Sequence, residues 1–182
     1  MNTKLRLIGG KKLDSPNDIF TRPTTLRVRE AIFNILQDKV ENSNWLDLFS
    51  GTGAISCEAY NHGAKKIVAI EKNKKNSKIC LKNLLSLQDS EKRKNDIDVI
   101  CKDVLIWTKP STNRDISSSN NFNKLKFDFI YLDPPYRACY HELVLNQIFN
   151  CNFIKKGTIV ICEHSLDLNI KKNILWEIYD VR

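Results

Sequence analysis

Asp133-Pro134-Pro135-Tyr136 is the segment of this chain with the most demanding chemistry. An exocyclic amino group on a nucleobase is a poor nucleophile, because its lone pair is delocalised into the ring. Two acceptors on its N–H groups, the Asp133 carboxylate and a carbonyl such as that of Pro134, favour a tetrahedral nitrogen whose lone pair points at a methyl sulfonium. The prolines fix φ and hold that backbone rigid. Tyr136 offers a ring on which an extruded base can stack, a contact of about 1–3 kcal/mol. A plain strand-to-loop turn with a surface tyrosine could carry the same four residues, so the segment gains meaning from what lies upstream.

Upstream, Asp47-x-Phe49-Ser50-Gly51-Thr52-Gly53 closes a short apolar run, and its glycines let the backbone turn and approach a ligand closely. Ser56 stands where the full dinucleotide fingerprint has a third glycine, so no pyrophosphate is required, and a turn without a ligand also fits. Glu71 ends a second apolar run about twenty residues beyond Gly51, where a carboxylate can accept hydrogen bonds from ribose hydroxyls or serve as a solvated strand-end charge. Asp103, after a third strand, can face an adenine edge or cap the segment that follows. Asp47, Gly51, Gly53, Glu71 and Asp103 thus fall at three successive strand ends, which predicts one crevice at the carboxyl edge of a sheet.

A third group, Thr21-Arg22-Pro23-Thr24-Thr25-x-Arg27-x-Arg29-Glu30, opens a helix. Arg22, Thr24, Arg27 and Arg29 are candidates to hold phosphate, since guanidinium forks match phosphate oxygens and a helix N-terminus favours anions. A charged solvent face with an Arg–Glu pair is the alternative. Lys4, Arg6, Lys11 and Lys12 extend the positive stretch, as solvated surface or as an RNA contact.

The elements needed to position these residues are legible. Lys4 to Ile8 alternates charged and apolar residues before Gly9-Gly10, as one arm of a small hairpin. Val28, Ala31, Ile32, Ile35 and Leu36 have the spacing of an amphipathic helix running to about Lys39. Strands are expected at 45–49, 66–70, 97–101, 127–132 and 158–162, with a further one starting near Ile174. Helices are expected at 54–60, 76–87 and 140–149. This alternation predicts an α/β fold with a mostly parallel central sheet flanked by helices. With 182 residues, 42% of them hydrophobic, the chain reads as one domain: an N-terminal extension over 1–40 and a core over 41–182. A Ser- and Asn-rich stretch over 109–124 reads as a flexible loop.

The formal charge of +8 suits a polyanionic partner. The six cysteines form no C-x-x-C and read as reduced packing residues, and the three histidines have no ligand spacing, so no metal is expected. No apolar run is long enough to span a bilayer, and the N-terminus lacks the apolar stretch of a signal peptide, which predicts a cytoplasmic protein.

Taken together, Arg6-Leu-Ile-Gly-Gly10, Thr21-Arg-Pro-Thr-Thr-Leu-Arg-Val-Arg-Glu-Ala-Ile-Phe-Asn-Ile-Leu36, Leu46-Asp-Leu-Phe-Ser-Gly-Thr-Gly53 and Asp133-Pro-Pro-Tyr136 resemble the bacterial small-subunit ribosomal RNA guanine-N2 methyltransferase family over nearly the whole chain. The Thr-Arg-Pro-Thr block carries most of that specificity. The resemblance implies a Rossmann-like fold and methyl transfer from S-adenosylmethionine to a guanine in small-subunit RNA or an assembling 30S particle; a monomer is expected. It places the cofactor at Gly51, Gly53, Glu71 and Asp103, and amine activation at Asp133 to Tyr136. Two features depart from the family pattern: a shorter basic turn after Gly10, and an end at Arg182 where a last strand would follow. The competing readings are a DNA adenine or cytosine amino-methyltransferase, a module that binds RNA without catalysis, and a small-molecule methyltransferase on the same fold.

Overall fold

Asn44–Leu48 (β1) lies at the centre of the sheet because its side chains find apolar partners on both faces. The computed structural model describes residues 5–16, 24–88, 96–109, 125–135, 140–151, 153–164 and 177–178. Nearly all of the 109–124 stretch and most of the strand expected from Ile174 lie outside them, as do Arg22 and Tyr136. In chain order the elements are α1 (Leu26–Leu36), a 3-10 turn (Gln37–Val40), β1, α2 (Ala54–Asn61), β2 (Lys66–Glu71), α3 (Lys74–Leu85), β3 (Asp96–Cys101), the short α4 (Val104–Trp107), β4 (Phe129–Leu132), α5 (His141–Asn150) and β5 (Ile159–Cys162).

All pairings among these five strands are parallel, in the order β3-β2-β1-β4-β5. The fold is therefore the α/β class that the strand–helix alternation predicts. The chain builds outward from β1 to β3, then returns to add β4 and β5 on the other side. This reversal puts the topological switch point, where open α/β sheets bind ligands, between the carboxyl ends of β1 and β4.

Strand parity divides the core. Trp45, Ile67, Ala69, Phe129 and Tyr131 face one layer, built from α1, α2, α3 and the N-terminal residues Leu5, Leu7 and Leu13. Leu46, Leu48, Val68, Ile70, Ile130 and Leu132 face the other, with Val104, Val144 and Ile148. The expected hairpin is present as a tight turn, Arg6 opposite Lys12, closed by bonds from Leu7 N to Lys11 O (2.9 Å) and Gly10 N to Leu7 O (2.8 Å).

In α1 the Thr25 hydroxyl caps the first turn by accepting from Val28 N at 3.3 Å. The helix ends at Leu36, short of the expected Lys39, because Gln37 takes a left-handed φ of 44° and the chain tightens into the 3-10 turn. Its buried stripe is Arg29, Ile32, Phe33 and Leu36, while Ile35 is exposed. That stripe corrects the reading of Arg29 as an outward phosphate ligand. The guanidinium is fully buried, ion-paired to Glu58 at 3.3 Å, and donates to the carbonyls of Thr24 and Arg6. Glu58 in turn accepts from Ile8 N at 2.9 Å, so one buried pair ties hairpin, α1 and α2 together.

Candidate active site

The glycine turn follows β1 directly. Gly51 and Gly53 both adopt positive φ (55° and 81°), and so does Phe49 (66°), a conformation costly for a side chain with a Cβ and found mainly where a site requires it. A Cβ added at Gly51 would point into open space, whereas one at Gly53 would lie 2.5 Å from Cys80 Sγ. Gly53 therefore serves close packing of α2 on α3, and Gly51 leaves a cradle for a ligand.

Glu71 braces that cradle. One carboxylate oxygen accepts from Gly51 N at 2.9 Å and the other from Asn73 N at 2.7 Å, linking the turn to the start of α3. Asp47 is buried at the end of β1. Its Oδ2 accepts from the Ser56 hydroxyl at 2.5 Å, while Oδ1 has no hydrogen-bond partner. Ser56, the residue in place of a third fingerprint glycine, is thus what orients Asp47. Asp103 caps α4, accepting from Leu105 N at 2.8 Å, which is the capping alternative considered above.

Asp133 is half-buried after β4, followed by buried Pro134 and exposed Pro135. The strand register sets its neighbours. Asp47 pairs with Ala69 and Tyr131, and Tyr131 with Ile161. Two residues further along each strand, Glu71, Asp133 and Glu163 fall on the same face as Asp47. Four carboxylates therefore share one face of the carboxyl edge. Burial pushes the Asp47 carboxyl up to about 7, against the Ser56 hydrogen bond and aided by the negative charges of Asp133 and Glu71. Burial, with Glu163 beside it, likewise pushes Asp133 up to about 7.

Glu163 and Tyr131 are the residues that sequence reasoning missed. The Tyr131 hydroxyl donates to Glu163 Oε2 at 2.6 Å and lies 3.4 Å from Thr24 Oγ1. Burial first, then the charges of Asp133 and Glu163, raise its pKa. The position of Glu163, one residue past the strand expected at 158–162, is the available signal.

Of the proposed phosphate ligands, Arg27 is exposed on the first turn of α1, and Lys11 and Lys12 are exposed on the hairpin. Thr24 is half-buried against Tyr131 and Arg29 is internal. Among the described residues no grouping of His, Cys, Asp and Glu could hold a metal ion, and no helix is long and apolar enough to cross a membrane. Cys57, Cys80, Cys101, Cys151 and Cys162 carry thiols and form no disulfide. A groove of about 610 Å³ lined by Phe33, Gln37, Glu41 and His62 opens near the amino edge of the sheet, away from these carboxylates.

The residues present suit a cationic cofactor bearing a ribose. Asp47 Oδ1 is a buried acceptor without a donor, Glu71 ends β2 with its carboxylate against the glycine turn, and Gly51 leaves room. A parallel sheet of this order, with carboxylates at its switch point, is the doubly wound arrangement that binds nucleotide-bearing ligands at the carboxyl ends of its strands. The model of the family described as Conserved hypothetical protein 95 matches residues 5–182, and the chain belongs to that family. It is 28% identical over 182 residues to "Ribosomal RNA small subunit methyltransferase D" of Buchnera aphidicola subsp. Acyrthosiphon pisum, covering 98% of this chain and 87% of the relative. The protein of the same name from Haemophilus influenzae is 30% identical over 158 residues, covering 87% and 75%. Among solved structures, the Escherichia coli protein yhhF, assigned as a methyltransferase, superposes with a TM-score of 0.74 at 24% identity, covering 93% of this chain and 85% of that one.

Two expectations arise here. Glu71→Ala should weaken S-adenosylmethionine binding about 10–100-fold, the equivalent of one charged hydrogen bond. Glu71→Gln, which keeps one acceptor oxygen, should lose less. Calorimetry on folded variants checks both, and unchanged affinity in Glu71→Ala removes the residue from the site.

The second concerns pH. Unfolded, the Asp47 and Asp133 carboxyls ionise near 3.8, whereas folded they hold their protons until about 7. The folded state therefore binds more protons between those values, and stability should fall as pH rises from about 4 to 7. A cationic ligand favours the ionised forms, so cofactor binding should release protons near neutrality and tighten as pH rises. Melting curves at pH 5 and 7.5, with calorimetry in buffers of different ionisation heat, test this. A pH-independent melting point together with no proton release rejects it.

Proposed function

We propose that this chain methylates the exocyclic N2 amine of a guanine in small-subunit ribosomal RNA, acting in the cytoplasm on the RNA or the assembling particle. The observation that carries the reading is the placement of Asp47, Glu71 and Asp133 on one face of the carboxyl edge, either side of the switch point. When bound, S-adenosylmethionine supplies an electrophilic methyl group on a positively charged sulfur. Asp47, through its unpartnered oxygen, would hold the cationic amino acid end, and Glu71 would accept from the ribose hydroxyls. The Asp133 carboxylate and the Pro134 carbonyl accept the two N–H bonds of the target amine and turn its lone pair toward the methyl carbon. Transfer would form the carbon–nitrogen bond as the carbon–sulfur bond breaks, its electron pair returning to sulfur to leave a neutral thioether, and the alkylated nitrogen would then lose a proton. Asp133, whose proton affinity is raised to about 7, is suited to receive that proton and pass it to solvent. Tyr136, next in the motif, is the proposed stacking partner for the base, and Arg22, Arg27, Lys11 and Lys12 are proposed RNA contacts.

The test is incubation with labelled S-adenosylmethionine and, separately, unmodified small-subunit particles, naked ribosomal RNA and DNA, followed by digestion to nucleosides. Label in N2-methylguanosine is expected. Label on a DNA amine, or on no nucleic acid, overturns the reading.

A further inference from the structure

Between Glu71 and Asp89 the chain carries Lys72, Lys74, Lys75, Lys78 and Lys82 and no acidic residue. All five lysines are exposed. On α3, Lys74, Lys78 and Lys82 follow one another at four-residue spacing, which sets them on one ridge in steps of about 6 Å.

This placement works against the helix. The N-terminus of α3 carries the positive end of the helix dipole, and its first turn has Lys74 and Lys75 with no acidic residue. Cations there oppose the dipole and destabilise the helix. Lys82 is paired with Asp14 at 2.5 Å, but no described acidic side chain pairs with Lys72, Lys74 or Lys78.

The ridge is also continuous with the hairpin. The Lys11 ammonium donates to Ser86 O at 2.5 Å, and Asp14 N donates to Asn83 Oδ1 at 2.8 Å, which fixes the segment after the hairpin onto the far end of α3. The near end of α3 begins at the carboxyl edge of β2. That edge is two strands from β4, so about 10 Å separates it from the Asp133 edge.

We propose that the lysine face of α3 is a docking surface for the ribose-phosphate backbone of RNA, engaging the strand that flanks the target base. The inference rests on the proposed function. Lys72, Lys74 and Lys78, without a described acidic partner and with Lys74 set against the helix dipole, line a surface leading to the reactive edge, which is what a polyanion would satisfy.

The experiment compares Lys72→Gln/Lys74→Gln/Lys78→Gln with a control of equal charge change, Lys39→Gln/Lys65→Gln/Lys156→Gln, whose exposed lysines precede β1, β2 and β5 at the opposite edge. Filter binding to unmodified small-subunit ribosomal RNA is measured across a salt series. Each lost phosphate contact on a single strand lowers the slope of log affinity against log salt by about 0.7. The α3 variant should lose about 2 from that slope, with unchanged S-adenosylmethionine affinity and circular dichroism, while the control keeps the wild-type slope. Equal slopes in the two variants overturn the inference, as does a slope that falls on duplex DNA but not on the RNA. If wild-type protein methylates the RNA and the α3 variant keeps its slope, only this inference fails. If wild-type protein neither binds nor methylates the RNA, the proposed function fails with it.

Discussion

Asp133→Ala is expected to slow methyl transfer about 100–1000-fold, the usual effect of removing one well-placed electrostatic acceptor. Cofactor binding and fold should persist. Asp133 makes its proposed contact with the reacting amine, and its carboxylate is held at a cost, desolvated and close to Glu163. Removing it relieves that repulsion, so the melting temperature should not fall. Asp133→Asn separates two possibilities. The amide keeps a carbonyl acceptor but can neither carry charge nor receive a proton. Activity close to wild type would mean that hydrogen-bond geometry suffices, whereas a fall toward the alanine variant would mean that charge or proton acceptance is needed. Single-turnover methylation of small-subunit particles at saturating cofactor is the measurement. A folded Asp133→Ala protein working at the wild-type rate sinks the assignment.

Arg29→Met should destabilise the protein by about 3–5 kcal/mol, the range for removing one partner of a buried ion pair. The Glu58 carboxylate would keep its burial and lose its cation, and the carbonyls of Thr24 and Arg6 would lose their donor. The double variant Arg29→Met/Glu58→Met removes the stranded charge and should recover part of the loss. It should not recover all of it, because Ile8 N would then lack its acceptor. Urea unfolding of wild type, single and double variants forms the cycle. A midpoint in Arg29→Met equal to wild type would mean that the pair contributes nothing.

Arg29 also marks the limit of what the sequence makes legible. The spacing of Val28, Ala31, Ile32, Ile35 and Leu36 locates α1 but sets its buried face slightly out of phase, because a cation on that face looks like solvent-exposed charge. The partner that allows its burial, Glu58, lies on another helix, and no local pattern joins the two. By contrast, Trp45-Leu-Asp-Leu48 and Lys66-Ile-Val-Ala-Ile-Glu71 are legible as strands because parallel strands covered on both faces are nearly continuous apolar runs. The carboxyl-edge location of Asp47, Glu71, Asp103 and Asp133 followed from those strand ends. Their sharing of a face did not, since it depends on the register of Asp47 with both Ala69 and Tyr131. Glu163 was missed for the same reason: it joins the site through register with β4.

The position of β1 between β2 and β4 also bears on how the chain acquires its structure. β2 and β3 follow β1 closely in sequence, so the half of the sheet that carries the glycine turn can assemble from neighbouring segments. The other side of β1 waits for Phe129–Leu132, since Trp45 pairs with Phe129 only after a long loop has closed. During synthesis from the N-terminus, β1 therefore presents an apolar edge with unpaired N–H and C=O groups until β4 emerges. Chains halted before Phe129 would be left in that state, in which this protein is most open to aggregation.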